Sequence, residues 1–99
     1  MQVKFKSWVC NTRIRHYSNE RVAIELIDVE DGELVATATV NIPEEKIEKD
    51  EIIVKDYSEN EGMLKALTDA GIVTKVNRHV RTGYVECPVC KVNMGLLKS

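Results

Sequence analysis

The sequence predicts an α+β fold: a mainly antiparallel β-sheet of five to six strands with one α-helix, at about residues 59–70, packed on one face in the order β-β-β-β-α-β-β. Three observations carry this. Apolar and polar residues alternate with period two over several short runs, the pattern of half-buried strands. Asp31-Gly32, a pair that tolerates positive φ, separates two such runs and reads as a hairpin turn. One stretch alone changes period: Met63, Leu64, Leu67 and Ala70 recur at three- and four-residue steps, with Lys65 and Asp69 left outside.

Taken in order, residues 3–10 read as a first strand, with Val3, Phe5 and Val9 on one side and Lys4, Lys6 and Trp8 on the other. Residues 11–20 are polar and read as a turn or ragged connection. The second strand, 21–29, turns Val22, Ile24 and Leu26 one way. In the third, 34–42, Leu34, Ala36, Ala38, Val40 and Ile42 share a face, and the two alanines leave room for a helix to approach closely. Pro43 removes a ladder donor and ends it. Ile52-Ile53-Val54 is a short β-branched run whose length fits an edge strand or a buried one. Ser58-Glu59-Asn60-Glu61 matches a capping box and predicts the helix start, while Gly71 supplies the left-handed residue that ends it. Gly62, inside the expected first turn, weakens the helix or marks a close approach. Residues 72–80 and 83–92 read as two further strands joined at Arg81-Thr82-Gly83.

A chain of 99 residues is expected to make a single domain over 1–99, with the tail 93–99 free to move. With 43% hydrophobic and 30% charged residues it has ordinary globular usage, which argues against disorder. No apolar run is long enough for a membrane helix and the start lacks the apolar segment of a secretory signal, so a cytoplasmic protein is expected. Charge is segregated. Residues 1–21 and 70–99 each carry a net +4, and residues 22–69 carry −10, densest over 43–61. Two readings fit: compensation across the folded surface, or an interaction face. The acidic candidates for protein binding are Glu44, Glu45, Glu48, Asp50 and Glu51, with Asp56 and Tyr57 beside the helix start.

Cys87-Pro88-Val89-Cys90 is a C-x-x-C, and Cys10 would approach it if the first and last strands paired. Zinc needs four tetrahedral ligands, so Cys10, Cys87 and Cys90 with His16 or His79 make a candidate site. Against it, no second close ligand pair exists, and on a strand Cys87 and Cys90 point to opposite faces unless a bulge intervenes. Ordinary reduced cysteines are the plainer reading, and a redox pair lacks the helix N-terminus that stabilises its thiolate. Lys75, Arg78, Arg81 and Tyr84, with His79, make a basic hairpin able to track a nucleic-acid backbone, echoed by Arg13, Arg15, His16 and Tyr17. The net charge of −2 argues against a surface built for phosphates. Neither histidine has an acidic neighbour at catalytic spacing, no phosphate loop or nucleophile elbow occurs, and the carboxylate run lacks the apolar surroundings that raise a pKa. An enzyme is not expected, and neither is a cofactor other than zinc.

The phrase Val54-Lys55-Asp56-Tyr57-Ser58-Glu59-Asn60-Glu61-Gly62-Met63-Leu64, followed by Ala70-Gly71-Ile72-Val73 and preceded by Ala36-Thr37-Ala38-Thr39-Val40-Asn41-Ile42-Pro43, resembles a family of small uncharacterised proteins. These are encoded on plasmids, conjugative elements and phages of Gram-positive bacteria. The resemblance implies a setting and no chemistry: an accessory factor that binds a host or competing-element protein. The expected function is therefore non-enzymatic protein binding through the sheet or through the acidic segment and helix start, with nucleic-acid contact and a zinc-stabilised domain as the alternatives.

Overall fold

The computed structural model describes residues 2–97. It is α+β, with seven strands in two antiparallel sheets. The first sheet runs in sequence order: β1 (Gln2–Phe5), β2 (Trp8–His16), β3 (Val22–Asp28) and β4 (Leu34–Thr37). The second places β7 (Val85–Val92) between β5 (Glu51–Ile53) and β6 (Val73–Thr82). The helix α1 (Met63–Asp69) lies between β5 and β6 in the chain, so the order is β-β-β-β-β-α-β-β. A single helical turn, α2 (Met94–Leu97), follows β7 and puts Leu97 into the core. Of the tail expected to move, Lys98 and Ser99 lie outside the described residues.

The two sheets meet where the chain continues past β4. Thr39 bridges Val54, the Val40 amide donates to the Ile53 carbonyl at 3.0 Å, and the Lys55 amide to the Ala38 carbonyl at 2.8 Å. The strands thus follow one another as β1-β2-β3-β4-β5-β7-β6 around a curled layer, and α1 touches both end strands, β1 and β6. Its stripe of Met63, Ala66 and Leu67 closes a core shared with Val3, Phe5, Cys10, Ile24, Leu26, Ile52, Val54 and Cys90. A smaller cluster fills the other face of the second sheet: Ile53, Cys87, Val89 and Val80 lie under Ile42, Ile47 and Tyr57. Ile52-Ile53-Val54 is therefore a buried run with both faces covered, which its β-branched continuity suits.

Three expectations are corrected. Residues 3–10 form a hairpin and not one strand, because Lys6 takes φ 54° and turns the chain between Phe5 and Trp8. The two-residue turn reverses the phase of the alternation, so that Trp8 and Cys10 share the side of Phe5 and Val3 and Val9 takes the other. Residues 11–16, expected as a connection, continue β2 and pair from Asn11↔Ile27 to His16↔Val22; their alternating cations occupy the outer face. Leu34, expected inside with Ala38, is exposed. A bulge opens between Leu26 and Ile27, so Leu26 faces Ala36 while Ile27 faces Leu34, and the β4 end rolls outward.

The capping box does not form. Ser58–Asn60 is a separate 3-10 turn entered with Ser58 at φ 57°, and its Oγ caps nothing. Gly62 is the residue before α1, at φ 97°, with open space where a Cβ would stand, so the glycine serves backbone conformation and no close approach. The cap comes from Asp56, whose Oδ1 accepts the amides of Gly62 at 3.1 Å and Leu64 at 2.9 Å. At the other end Gly71 exits as expected: its amide donates to Thr68 and that of Ile72 to Leu67, both at 3.0 Å, a Schellman closure with Ile72 and Leu67 fully buried.

Candidate functional site

The outer face of the first sheet follows from its register. One row crosses it as Lys4, Val9 and Val29, the next as Gln2, Asn11, Ile27 and Leu34, and the next as Arg13, Glu25 and Thr37. The middle of the face is ionic, with Glu25 accepting from Arg13 at 2.7 Å and Arg15 at 3.2 Å; the Arg13 hydrogen bond chiefly holds the Glu25 carboxyl below its ordinary range. The end near the β1–β2 and β3–β4 turns is apolar. Val9 and Val29 are each 40% exposed and Leu34 is 52% exposed, with half-buried Ile27 between them. Trp8, 40% exposed, takes the place opposite Phe5, on the other side of β2 from Val9, and is fixed at the end of the sheet by stacking on Phe5, centroids 6.5 Å apart and rings 18° from parallel. A hollow of about 230 Å³ opens between Ser7, Trp8, Val9, Asp28, Val29 and Glu30.

The β3–β4 turn gives this apolar end an acidic border. Asp28 Oδ1 accepts the Glu30 amide and Asp31 Oδ1 the Glu33 amide, both at 2.9 Å, so these two aspartates shape the turn. Glu30 and Glu33 project as exposed carboxylates with no ion pair among the described residues. A surface of large apolar groups, bordered by two carboxylates without an ion pair among the described residues and by Lys4, can hold a partner.

The acidic candidates occupy different positions and mostly serve the fold. Glu51 is buried; its carboxylate accepts the Glu48 amide at 2.8 Å and Asn77 Nδ2 at 2.7 Å, and these bonds hold its pKa low. Asp56 caps α1, Glu45 meets Arg78 at 3.5 Å, and Asp50 meets Lys91 at 3.8 Å. Tyr57 covers the smaller core cluster, with Lys55 Nζ 5.6 Å from its ring centroid. Glu44 and Glu48 are exposed.

The basic candidates are divided between two faces. Bulges at Thr74 and Asn77 shift the register, so Lys75 lies opposite Lys91 and Arg78 opposite Val89 on one face, whereas His79 lies opposite Pro88 and Arg81 opposite Glu86 on the other. Arg78 is further tied to the Lys46 carbonyl. Tyr84 stands fully exposed at the two-residue hairpin tip. Arg13 and Arg15 share Glu25, and Tyr17 is hydrogen-bonded to Thr39 at 2.9 Å.

The three thiols are buried and are not brought together as a ligand set. Cys87 belongs to the smaller cluster and Cys90 to the main core, on opposite faces of β7, and Cys10 lies in the main core opposite Asp28. Among the described residues no group of three His, Cys, Asp or Glu is spaced to hold a metal. Burial raises all three pKa values, that of Cys90 to about 11, with Asp56 and Glu51 adding to it. His16 lines an open groove of about 410 Å³ with Arg21, Lys49, Glu51, Ile47 and Met94. Arg21 is spent there on the Ile42 carbonyl at 2.8 Å and on the Glu45 carbonyl. Among the described residues every buried side-chain polar atom has a hydrogen-bond partner.

No family model, curated protein or solved structure matches the chain. Among the described residues no helix is long and apolar enough to cross a membrane.

The apolar end of the outer face was missed by sequence reasoning, which put Val9 and Leu34 inside. The signal that could have found it is the hairpin at Lys6-Ser7: once β1 and β2 are separate, Trp8 and Cys10 take the places opposite Phe5 and Val3, and Val9 must face outward.

Proposed function

We propose that this protein acts by binding another protein, and not by catalysis, through the apolar end of the outer face formed by Val9, Val29 and Leu34, with Trp8 at the end of the sheet beside it. The observation that carries the reading is their clustering: among the described residues, three of the seven exposed large hydrophobic residues, Val9, Val29 and Leu34, share the outer face, Val9 and Val29 directly opposite one another, and Trp8 lines the adjoining hollow with those two. Isolated exposed apolar residues need no explanation, but a contiguous group at a rim set with charges is characteristic of interfaces. Trp8, already stacked on Phe5, offers a rigid aromatic anchor that loses little entropy on binding. Glu30 and Glu33 favour a partner segment that sets Lys or Arg beside its apolar residues. The resemblance to small proteins of plasmids, conjugative elements and phages supports a host or mobile-element protein as the partner.

Selection from a displayed random-peptide library tests this. Enriched sequences should combine apolar residues with Lys or Arg, and their binding should be lost in Val29→Glu and weakened by about 2 kcal/mol in Trp8→Ala, with circular dichroism unchanged. An absence of enrichment, or peptides that bind Val29→Glu as well as the parent, contradicts the reading.

A further inference from the structure

At the other end of the strand order, β6 is an edge: among the described residues its one strand neighbour is β7, and none donates to or accepts from its outward side at residues 74–82 through the backbone. Residues 74–79 and 81 are all exposed. A bare edge is a template for another strand. Over residues 74–77 the two bulges disturb the ladder, but from Arg78↔Val89 to Thr82↔Val85 the register is unbroken. The straight edge is therefore 78–82.

The charges of the strand itself are all positive and are partly offset by neighbours: Arg78 meets Glu45 at 3.5 Å, and Arg81 lies opposite Glu86 on β7. No Asp or Glu occurs between Asp69 and Glu86, while Lys75 and Arg78 face one side and His79 and Arg81 the other. Lys75 and Lys91 are cross-strand partners, a juxtaposition of like charges that costs stability unless an anion lies near; Asp50 reaches Lys91, and among the described residues Lys75 has no ion pair. A phosphate backbone lying on one face would meet only half of these cations. A β-strand laid along the edge sends alternate side chains to both faces and meets all of them. Two copies of this edge would repel each other, so self-pairing is disfavoured.

We propose that the edge of β6 at 78–82 takes up an extended acidic peptide segment as an added strand. The backbone supplies the hydrogen bonds, and His79 and Arg81 along the edge, with Lys75 before its start, select for carboxylates. This surface is separate from the apolar end of the first sheet, and neither reading depends on the other.

The test uses the full chain and a synthetic peptide of about ten residues alternating Glu with Thr or Val, at low salt. Amide exchange should slow at 78–82 when the peptide is added. An otherwise identical peptide with Lys for Glu should not bind, and an acidic peptide N-methylated at alternate residues should bind at least about tenfold more weakly, because it lacks ladder donors. Lys75→Gln and Arg81→Gln, on opposite faces, should each weaken binding, with melting little changed. The proposal is overturned if the N-methylated peptide binds equally, if protection appears elsewhere, if only one of the two faces matters, or if a single-stranded oligonucleotide binds where the acidic peptide does not.

Discussion

Asp56 accepts the amide of Leu64 at 2.9 Å, and through this bond a residue outside α1 caps it. The carboxylate also takes the Gly62 amide, so two donors that open the helix are satisfied by one side chain eight residues upstream of Leu64.

Asp56→Ala should then cost about 0.5–2 kcal/mol in denaturant unfolding, the range of a lost N-cap, with Asp56→Asn retaining part of it. Ser58→Ala should have little effect, and Ser58→Gly none or a small gain, because Ser58 sits at positive φ. A larger loss at Ser58 than at Asp56 would restore the capping box.

Leu67 lies at the centre of the α1 stripe and is fully buried, so Leu67→Ala should cost about 2–5 kcal/mol by opening a cavity. Glu48→Gln, on an exposed side chain, should stay within about 0.5 kcal/mol. Equal effects in urea titrations would contradict the placement of the helix.

Much of this architecture is legible in the residues because local chemistry and tertiary structure agree. Gly32 and Gly71 adopt positive φ where the Asp-Gly turn and the helix exit require it, and of the stripe Met63, Leu64, Leu67 and Ala70 the first and third are fully buried and the other two half-buried, with Ala66 joining them in the core. What stays hidden depends on long-range partners or on rare backbone states. Lys6 and Ser58 carry positive φ without the glycine or asparagine that would announce it. Asp56 caps across a turn whose spacing matches no short motif. The acidic run reads as one solvated face, yet the fold assigns Glu51, Asp50 and Glu45 to Asn77, Lys91 and Arg78, residues far along the chain. The outward roll of Val9 and Leu34 follows from a turn and a bulge, neither of which changes the count of apolar residues.

Glu51 gives stability a pH dependence of known sign. The Glu48 amide, then Asn77, lower its carboxyl pKa in the folded chain. Its contribution is therefore fully present above the unfolded Glu value of about 4.3 and is lost as the pH falls through the lower folded value. Glu51→Gln should be less stable than the parent near neutral pH and should show a smaller loss of stability below about pH 4. Parallel curves for the two proteins would contradict this.

The thiols should be inert while the chain is folded. Burial holds Cys10, Cys87 and Cys90 in the protonated form at neutral pH, so a disulfide reagent should label them slowly, at rates that rise with denaturant. Because Cys87 and Cys90 face opposite sides of β7, a chelator should leave melting unchanged. Rapid labelling of a thiol, or a lowered melting temperature with chelator, would overturn this placement.

The most direct measurement on the proposed function compares the parent with Val29→Glu plus Leu34→Glu, reading urea stability and affinity for a library-selected peptide on the same samples. Side chains exposed for a partner should contribute little to folding, so stability should change by less than about 1 kcal/mol while affinity falls by about a hundredfold or more. Unchanged affinity, or a loss of binding that merely tracks a loss of stability, would contradict the assignment of this face to partner binding.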